Sequence, residues 1–209
     1  MSAFTKVVQV ADASLPTRWG DFRILGFEGH LPPGSPDNKL LEEAVVLVYG
    51  DIHTAPPLVR VHSQCLTGDV FHSLRCDCRL QLELALQRIT GEGAGIILYE
   101  QQEGRGIGLM AKLRAYELQD HGLDTVEANE QLGFKADQRD FELPGAILQQ
   151  LHIPAVRLIT NNPEKVHALE AAGIKVIERI SAQVESESTF EKYLQVKREK
   201  MGHLTDVLG

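Results

Sequence analysis

The chain has three cysteines, and their close spacing suits a metal site. They are Cys65, Cys76 and Cys78, and thiolates are soft ligands that bind zinc well. A structural zinc site usually closes with four protein ligands, whereas a catalytic site keeps one position open for a water molecule. Because no fourth ligand is obvious, the sequence predicts one zinc ion per chain at a catalytic centre.

Two alternatives to this three-cysteine site stay open at the level of sequence. Reduced cysteines can pack simply as small apolar residues, although the Cys-Asp-Cys run at 76–78 is polar for a core. His62 or His72 could provide a fourth ligand, but a single histidine more often lies at the surface or forms a hydrogen bond. Arg75 and Arg79 flank the last two cysteines and favour the thiolate state.

The segment around these cysteines resembles a known zinc motif. It runs from Arg60 to Gln81 and reads RVHSQCLTGDVFHSLRCDCRLQ. This is similar to the motif of GTP cyclohydrolase II, which usually reads R-V-H-S-E-C-L-T-G-D…L-R-C-D-C. Later motifs agree as well, so the resemblance extends over about 15–204. Gln64 departs from it, since the family normally has glutamate there, and Gln101 stands where arginine is common.

The resemblance implies an enzyme that converts GTP to 2,5-diamino-6-ribosylamino-4(3H)-pyrimidinone 5′-phosphate, formate and pyrophosphate, the first step of riboflavin biosynthesis. Zn²⁺ and Mg²⁺ are the implied metals, Mg²⁺ accompanying the GTP phosphates, and a homodimer is the implied assembly. The departures at Gln64 and Gln101 leave two alternatives. One is a paralogue with another product or pathway from GTP, and the other is a non-catalytic guanine-nucleotide-binding zinc protein.

The resemblance also implies roles for individual residues. Zinc ligation falls on the three cysteines, the nucleophile that attacks the α-phosphorus on Arg139, the proton acceptor on Asp137 and the catalytic tyrosine on Tyr116. Contacts with GTP are implied for a larger set of positions: Arg60, Val61, His62, Ser63, Gln64, Gln81, Glu103, Gly104, Arg105, Thr125, Thr160 and Lys165. A carboxylate such as Glu103 suits the N1–H and 2-amino donors of guanine.

Composition limits the class of protein. The 209 residues carry a formal net charge of −8, which argues against bulk binding of nucleic acid. An anionic substrate therefore needs a local basic pocket. The N-terminus lacks the apolar core of a signal peptide, no apolar run is long enough to cross a membrane, and reduced cysteines suit a cytoplasmic setting. We expect a soluble cytoplasmic protein with a single catalytic domain spanning 1–209.

The order of the periodic segments indicates an α/β fold, with one mixed sheet flanked by helices. Strands are predicted at 15–28 (a strand or hairpin), 44–52, 57–63 and 95–100, followed by a strand–helix–strand unit at 155–180. Helices are predicted at 79–92, 107–121 and 145–153, with a C-terminal helical tail at about 187–209. The segment 29–43 is predicted to be an exposed loop. In 124–143 the charges of Asp137, Arg139 and Asp140 would indicate a solvated loop if the chain had no metal site.

Three further features lie near the predicted site. The Gly-rich turn after the strand at 95–100 is equally compatible with a simple turn and a ligand site. In the helix at 107–121 the periodicity places Tyr116 on an apolar face with Leu109 and Leu113, as a core residue. Asn162 followed by proline predicts a helix start, whose free N–H groups suit a phosphate. Lys165 in that first turn fits anion binding or an exposed position equally well.

Overall fold

The structure is a computed structural model that describes residues 3–35, 39–135, 137–184 and 202–204. Within this part of the chain seven strands form one sheet. They are β1 (Lys6–Thr17), β2 (Gly20–His30), β3 (Leu41–Tyr49), β4 (Leu58–Ser63), β5 (Gly95–Glu100), β6 (Ala155–Ile159) and β7 (Lys175–Ile180). The helices of the same residues are α1 (Leu66–Asp69), α2 (Cys78–Glu92), α3 (Leu109–Asp120), α4 (Thr125–Gln131), α5 (Glu142–Gln150) and α6 (Pro163–Ala171).

The sheet is mixed, as the sequence predicts. Its order is β1-β2-β3-β5-β4-β6-β7. The pairs from β1 through β3 to β5 are antiparallel, whereas β5, β4, β6 and β7 run parallel. Parallel strands end at the same edge of a sheet, and ligands of open α/β sheets bind at that edge. Ser63 and Glu100 lie side by side there, close to the segments that carry the cysteines.

Helices cover both faces of the sheet, which confirms the α/β class. Along β5 the side chains alternate, so Ile96 and Leu98 join the larger core while Ile97 joins the smaller one. Helices α5 and α6 close the larger core, and α2 closes the smaller one. Because its central strands are apolar on both faces, the sheet can be covered on both sides. The α2 residues that pack there are Leu82, Ala85, Leu86 and Ile89, whose i, i+3, i+4, i+7 spacing predicts the helix from the sequence.

The N-terminal meander is longer than predicted. The segment 15–28 is a hairpin, but its first strand begins at Lys6, in a stretch whose side chains are mostly exposed. Because neither face of this strand is buried along its length, its hydrophobic pattern does not predict a strand. The predicted exposed loop at 29–43 is wrong at both ends, because β2 continues to His30 and β3 begins at Leu41. These two residues pair across the strands, and that pairing outweighs the local composition.

The helices between β5 and β6 differ most from the prediction. No helix is predicted within 124–143, yet α4 occupies Thr125–Gln131 and α5 begins at Glu142. Asp124 starts α4 with a capping box. The predicted helical tail at about 187–209 lies outside the described residues, apart from 202–204. None of the helices in the described part of the chain combines the length and apolar character needed to cross a membrane.

Candidate active site

The three cysteine sulfur atoms converge at the carboxyl edge of the sheet. All of them lie within 4.8 Å of one another, and the Sγ atoms of Cys65 and Cys76 are 3.7 Å apart. A tetrahedral zinc ion with its usual bond lengths separates two sulfur ligands by about 3.8 Å. The donor set and its spacing therefore fit zinc. Among the described residues these cysteines are the one cluster with this ligand geometry.

Short helices place the sulfur atoms. Cys65 follows β4 and precedes α1, whereas Cys78 is the first residue of α2. Gly68 of α1 packs directly against the cluster: a Cβ on this residue would lie 2.9 Å from Sγ of Cys76 and 3.1 Å from Sγ of Cys65. The glycine is needed here because its missing side chain leaves room for the sulfur atoms.

Asp69 fixes the backbone on which Cys65 stands. Its carboxylate accepts hydrogen bonds from the Cys65 backbone N–H at 3.0 Å and from the Tyr99 hydroxyl at 2.8 Å. Nε2 of His62 lies 3.2 Å from both carboxylate oxygens. His62 is thus directed at a carboxylate and not at the sulfur atoms, and His72 is exposed. In the described structure neither histidine joins the metal-ligand cluster.

The three thiols differ in pKa because they lie so close together. Hydrogen bonds from Cys76 and Cys78, with a contribution from the nearby charge of Lys112, hold the pKa of Cys65 well below its ordinary value. The contact with Cys65 in turn raises the pKa of Cys76 to about 11, and contacts with both neighbours raise the pKa of Cys78 well above its ordinary value. A divalent cation displaces the remaining protons, so the site is suited to metal uptake.

A cleft of about 620 Å³ opens beside the sulfur atoms. Many of the predicted residues line it: Ser63, Gln64, Cys65, Cys76, Cys78, Glu103, Gly104, Arg105, Tyr116, Thr125 and Arg139. Side chains that the sequence did not single out complete the wall, notably Lys112 and Asn129.

A second cavity of about 560 Å³ adjoins the first, and the two share Ser63, Cys78, Arg105 and Arg139. Its lining is basic and includes Arg60 and Lys165. The remaining predicted residues in this wall are His62, Gln81 and Thr160. The local basic pocket expected for an anionic substrate is therefore present, despite the negative net charge of the chain.

Arg139 lies where the two cavities meet and is held by Asp137. Nε of Arg139 is 2.9 Å from Oδ1 of Asp137, and Nη1 donates to Oγ of Ser63 at 3.2 Å. Burial by itself raises the pKa of Asp137, but the hydrogen bonds and charge of Arg139 outweigh it, so the pKa lies below its ordinary value. The charged segment around Arg139 is an ordered part of the cleft wall and not a solvated loop.

Lys165 is buried, which removes the exposed alternative. Only 5% of the residue is accessible, and Nζ donates to the backbone carbonyl of Val61 at 2.9 Å. Burial, with the charges of Arg60 and Arg139, places its pKa well below the ordinary value. Asn162 caps α6 as predicted, accepting the Glu164 N–H at 2.9 Å. The basic cavity thus lies at the N-terminal end of this helix.

Arg60 enters the same cavity from β4. Its Nη1 donates to the carbonyl of Ile159 at 3.1 Å, and its Nη2 donates to Oε1 of Gln81 at 2.5 Å. Burial lowers the pKa of Arg60 to about 10. Gln81 donates in turn to Asp77 at 2.5 Å. These contacts fix the guanidinium from the side of the protein.

The Gly-rich turn after β5 has an unusual backbone. Gly104 and Arg105 both lie in the left-handed region, with φ of 62° and 63°, and Gln138 donates to the Arg105 carbonyl at 3.0 Å. Such a conformation is strained for arginine and is common at functional sites. The turn also lines the cleft, so the structure favours a ligand site over a plain connection here.

Helix α3 faces the cleft with polar residues, which corrects the predicted apolar face. Leu113 is 43% exposed, while Lys112 and Ala115 are the buried positions. Tyr116 is partly buried, and its hydroxyl lies 3.2 Å from Oγ1 of Thr67. Periodicity had made Tyr116 a core residue, but it lines the cleft.

Two predicted residues stand apart from the walls of both cavities. The Val61 side chain packs in the larger core, and Asp137 lies behind Arg139.

Sequence reasoning missed Lys112, Asp69, Glu100 and Asn129. A buried lysine or carboxylate carries no signal in an apolar pattern, and Asn129 lies on a helix that was not expected. The departure at Gln101 falls on an exposed side chain.

Comparison with known proteins places this site in a family. A family model described as GTP cyclohydrolase II matches residues 8–181. The chain is 53% identical over 200 residues to GTP cyclohydrolase-2 of Buchnera aphidicola subsp. Schizaphis graminum (strain Sg), covering 95% of this chain and 98% of that protein. It is 57% identical over 198 residues to GTP cyclohydrolase-2 of Escherichia coli O45:K1 (strain S88 / ExPEC), covering 94% and 96%.

Among solved structures, the chain is similar to a two-domain 3,4-dihydroxy-2-butanone 4-phosphate synthase from A. baumannii. The TM-score is 0.47 at 15% identity, with 87% of this chain and 41% of that chain covered. The family model and the curated relatives span nearly the whole chain and confirm the resemblance seen in the cysteine motif: the chain belongs to the GTP cyclohydrolase II family.

Proposed function

We propose that this chain is a zinc-dependent GTP cyclohydrolase II that hydrolyses GTP to 2,5-diamino-6-ribosylamino-4(3H)-pyrimidinone 5′-phosphate, formate and pyrophosphate in riboflavin biosynthesis. The observation that carries the proposal is the joining of two cavities at Arg139. One contains a sulfur cluster suited to zinc, and the other is basic. A nucleoside triphosphate needs both kinds of surroundings if its ring is hydrolysed and its phosphates are cleaved.

The basic cavity supports binding of the phosphates. Arg60, Arg105, Arg139 and Lys165 line it, and the N-terminus of α6 adds the positive end of a helix dipole. Mg²⁺ bound with the phosphates would share in neutralising them. Charge on the departing pyrophosphate grows in the transition state, so preorganised cations stabilise that state more than the bound substrate.

Arg139 and Asp137 are proposed as nucleophile and proton acceptor for pyrophosphate release. In this step a guanidinium nitrogen forms a bond to the α-phosphorus while the bond to pyrophosphate breaks. Water later attacks the same phosphorus, which breaks the phosphorus–nitrogen bond, leaves the 5′-phosphate on the product and restores Arg139. Arginine is a strong base, so it keeps its proton until that bond begins to form. The short contact between Nε and the Asp137 carboxylate holds the guanidinium in place and provides a nearby acceptor as the proton becomes acidic.

The sulfur cluster is proposed for opening of the imidazole ring. Zinc held by the three cysteines would supply Lewis acidity and an activated water for hydrolysis at C8 and release of formate. Tyr116 lies within reach of Thr67 and lines the sulfur side of the cleft, which supports a role for its hydroxyl in orienting or protonating the departing nitrogen. Gln64 lines the cleft next to Cys65 and offers hydrogen bonds there without a charge.

Recognition of guanine is proposed for the wall formed by Glu103, Thr125 and Gln64. Glu103 already accepts the Leu66 N–H at 2.7 Å and the Lys112 ammonium at 2.7 Å. Oε1 also accepts the Gly104 N–H at 3.0 Å, so one lone pair, on Oε2, remains for a guanine donor. The role of Glu103 as the guanine acceptor therefore stays a prediction.

A cytoplasmic homodimer is part of the proposal. Reduced cysteines support the location. Exposed apolar side chains near the sulfur cluster, Val70, Phe71 and Leu74, support self-association, and Phe71 is 70% exposed. Sedimentation velocity of the full chain tests the assembly, and a monomer at micromolar concentration would contradict it.

The activity is tested by incubating the purified chain with GTP, Mg²⁺ and Zn²⁺. We expect formate, pyrophosphate and the absorbance of a diaminopyrimidine to appear together. Replacing Cys76→Ser should abolish formate and reduce bound zinc while sparing pyrophosphate release, because Arg139 and Asp137 do not depend on the sulfur atoms for their contact. Loss of both products would show that the two half-reactions are not separable.

The same assay separates the alternatives. GMP and pyrophosphate without formate from the unaltered chain would indicate a paralogue that lacks ring opening. GTP that remains bound and unchanged would indicate a nucleotide-binding protein. Either outcome would overturn the proposed reaction.

A further inference from the structure

Lys112 connects the sulfur cluster to the turn after β5. Only 9% of this residue is exposed. Its Nζ lies 3.2 Å from Sγ of Cys65 and 2.7 Å from Oε1 of Glu103. The ammonium group of Lys112 therefore bridges the sulfur atom and the carboxylate. Among the described residues, the neighbouring Leu109, Met110 and Leu113 have no such contacts.

Glu103 extends this connection back to the cysteine loop. Its second carboxylate oxygen accepts the backbone N–H of Leu66 at 2.7 Å, and its first accepts the N–H of Gly104 at 3.0 Å. Leu66 directly follows Cys65 in the chain. Lys112 and Glu103 therefore hold the ligand residue from two sides, through its sulfur atom and through the next peptide group.

The charges explain why a cation is required at this position. A zinc ion with three thiolates carries one net negative charge, and the carboxylate of Glu103 adds another within the same buried region. Burying unbalanced charge is costly. The ammonium of Lys112 reduces that negative charge and donates a hydrogen bond to the sulfur, which withdraws electron density from the metal–sulfur bond.

We propose that Lys112 is a positioning residue of the metal centre, which fixes the Cys65 sulfur against Glu103 and tunes the bond between that sulfur and the metal. The inference rests on the proposed zinc site at the three cysteines. It assigns to α3 a second contribution besides Tyr116, and it makes the turn at Glu103–Gly106 dependent on the same ammonium group that contacts the metal ligand.

Substitution Lys112→Met tests the proposal, because methionine keeps much of the length of the side chain but has neither charge nor donor. We expect the affinity for Zn²⁺, measured by chelator competition, to fall about 10–100-fold, as for other residues that support metal ligands. In protein loaded with Co²⁺, the sulfur-to-cobalt charge-transfer band should move to lower energy, because a sulfur without its hydrogen bond gives up electron density more readily.

Arg114→Met is the matched control, since it removes a cation from an exposed position of the same helix, and both measurements should stay at their native values. Lys112→Arg keeps the charge and should restore most of the affinity. If Lys112→Met fails to fold, Lys112→Leu, which also lacks charge and donor, takes its place with the same expected directions. If Lys112→Met binds Zn²⁺ with native affinity and its sulfur-to-cobalt band does not move, the proposed role of Lys112 is overturned. A native chain that binds no metal through sulfur would instead overturn the zinc site itself.

Discussion

Glu100 is a buried carboxyl group beside the basic cavity. It is 1% exposed, and among the described residues its Oε2 has no hydrogen-bond partner, while Oε1 accepts from Gln102 at 3.0 Å. Burial raises its pKa to about 8, although the charges of Lys165 and Arg139 oppose this shift. The folded chain therefore holds a proton on Glu100 at pH values where the unfolded chain does not.

A pH dependence of stability follows from this shift. Since the folded state binds more protons between the ordinary pKa of glutamate and about pH 8, the free energy of unfolding falls as pH rises through that window. Glu100→Gln removes the ionisable group, so the variant should gain stability relative to the native chain between pH 5 and pH 8, by about 1–4 kcal/mol. Urea denaturation at several pH values measures this.

The control for this experiment is Glu170→Gln, which removes an exposed carboxylate from α6. Its stability difference from the native chain should be small and nearly independent of pH. A pH-independent difference for Glu100→Gln as well would show that Glu100 is ionised in the folded chain throughout this range.

At the level of elements, the short helix α1 determines how closely the sulfur atoms approach. It has four residues and no side-chain cap, so it owes its position to surrounding contacts and not to intrinsic helix stability. Gly68 lies in this helix against Cys65 and Cys76. The element is placed so tightly that one methyl group would collide with two metal ligands.

Gly68→Ala should therefore disturb the metal site specifically. A Cβ at 2.9 Å from Sγ of Cys76 requires that sulfur or the helix to move. Metal sites need ligand distances within about 0.2 Å of their usual values, so we expect at least a tenfold loss of zinc affinity, consistent with other perturbed sites. Metal content after dialysis and chelator competition measure the change.

Gly91→Ala supplies the matched control for this substitution. Gly91 lies in α2, and a Cβ there would meet no atom within 4 Å. Alanine should leave zinc binding unchanged and stabilise the helix by about 0.5–1 kcal/mol. If Gly68→Ala binds zinc as the native chain does, the sulfur cluster is less tightly packed than its geometry indicates.

At the level of the whole molecule, the central strands of the sheet are more deeply buried than the edge strand β1. Strands β4 and β5 are almost entirely buried and have neighbours on both sides. Strand β1 forms an edge, and most of its side chains are exposed. The active site is assembled on the buried, parallel part of the sheet, which supplies a rigid base for Arg60 and the cysteine loop.

Hydrogen exchange should reflect this difference. Amides of β4 and β5 are expected to exchange slowest, close to the rate set by global unfolding, whereas those of β1 open locally and exchange faster. Exchange measured by mass spectrometry on peptides from each strand tests the expectation. Equal protection of β1 and β5 would mean that the antiparallel and parallel parts unfold as one unit.

The sequence by itself determined the candidate metal ligands and the family, because both depend on residue types at fixed spacing. Cys65, Cys76 and Cys78 lie close in the chain, and short-range geometry brings them together. The short apolar run of β5 and the apolar face of α2 are also local properties, and each predicted its element correctly. The Asn162 cap before proline marked the start of α6 for the same reason.

Only the tertiary structure decided which polar residues surround those cysteines. Lys112 comes from α3, the Tyr99 hydroxyl that donates to Asp69 comes from β5, and Glu100 lies beneath the cations at the end of β5. These contacts join segments far apart in the chain, so no local pattern specifies them. A buried charge is stable only where a distant partner compensates it, and that partner becomes known when the strands and helices are packed together.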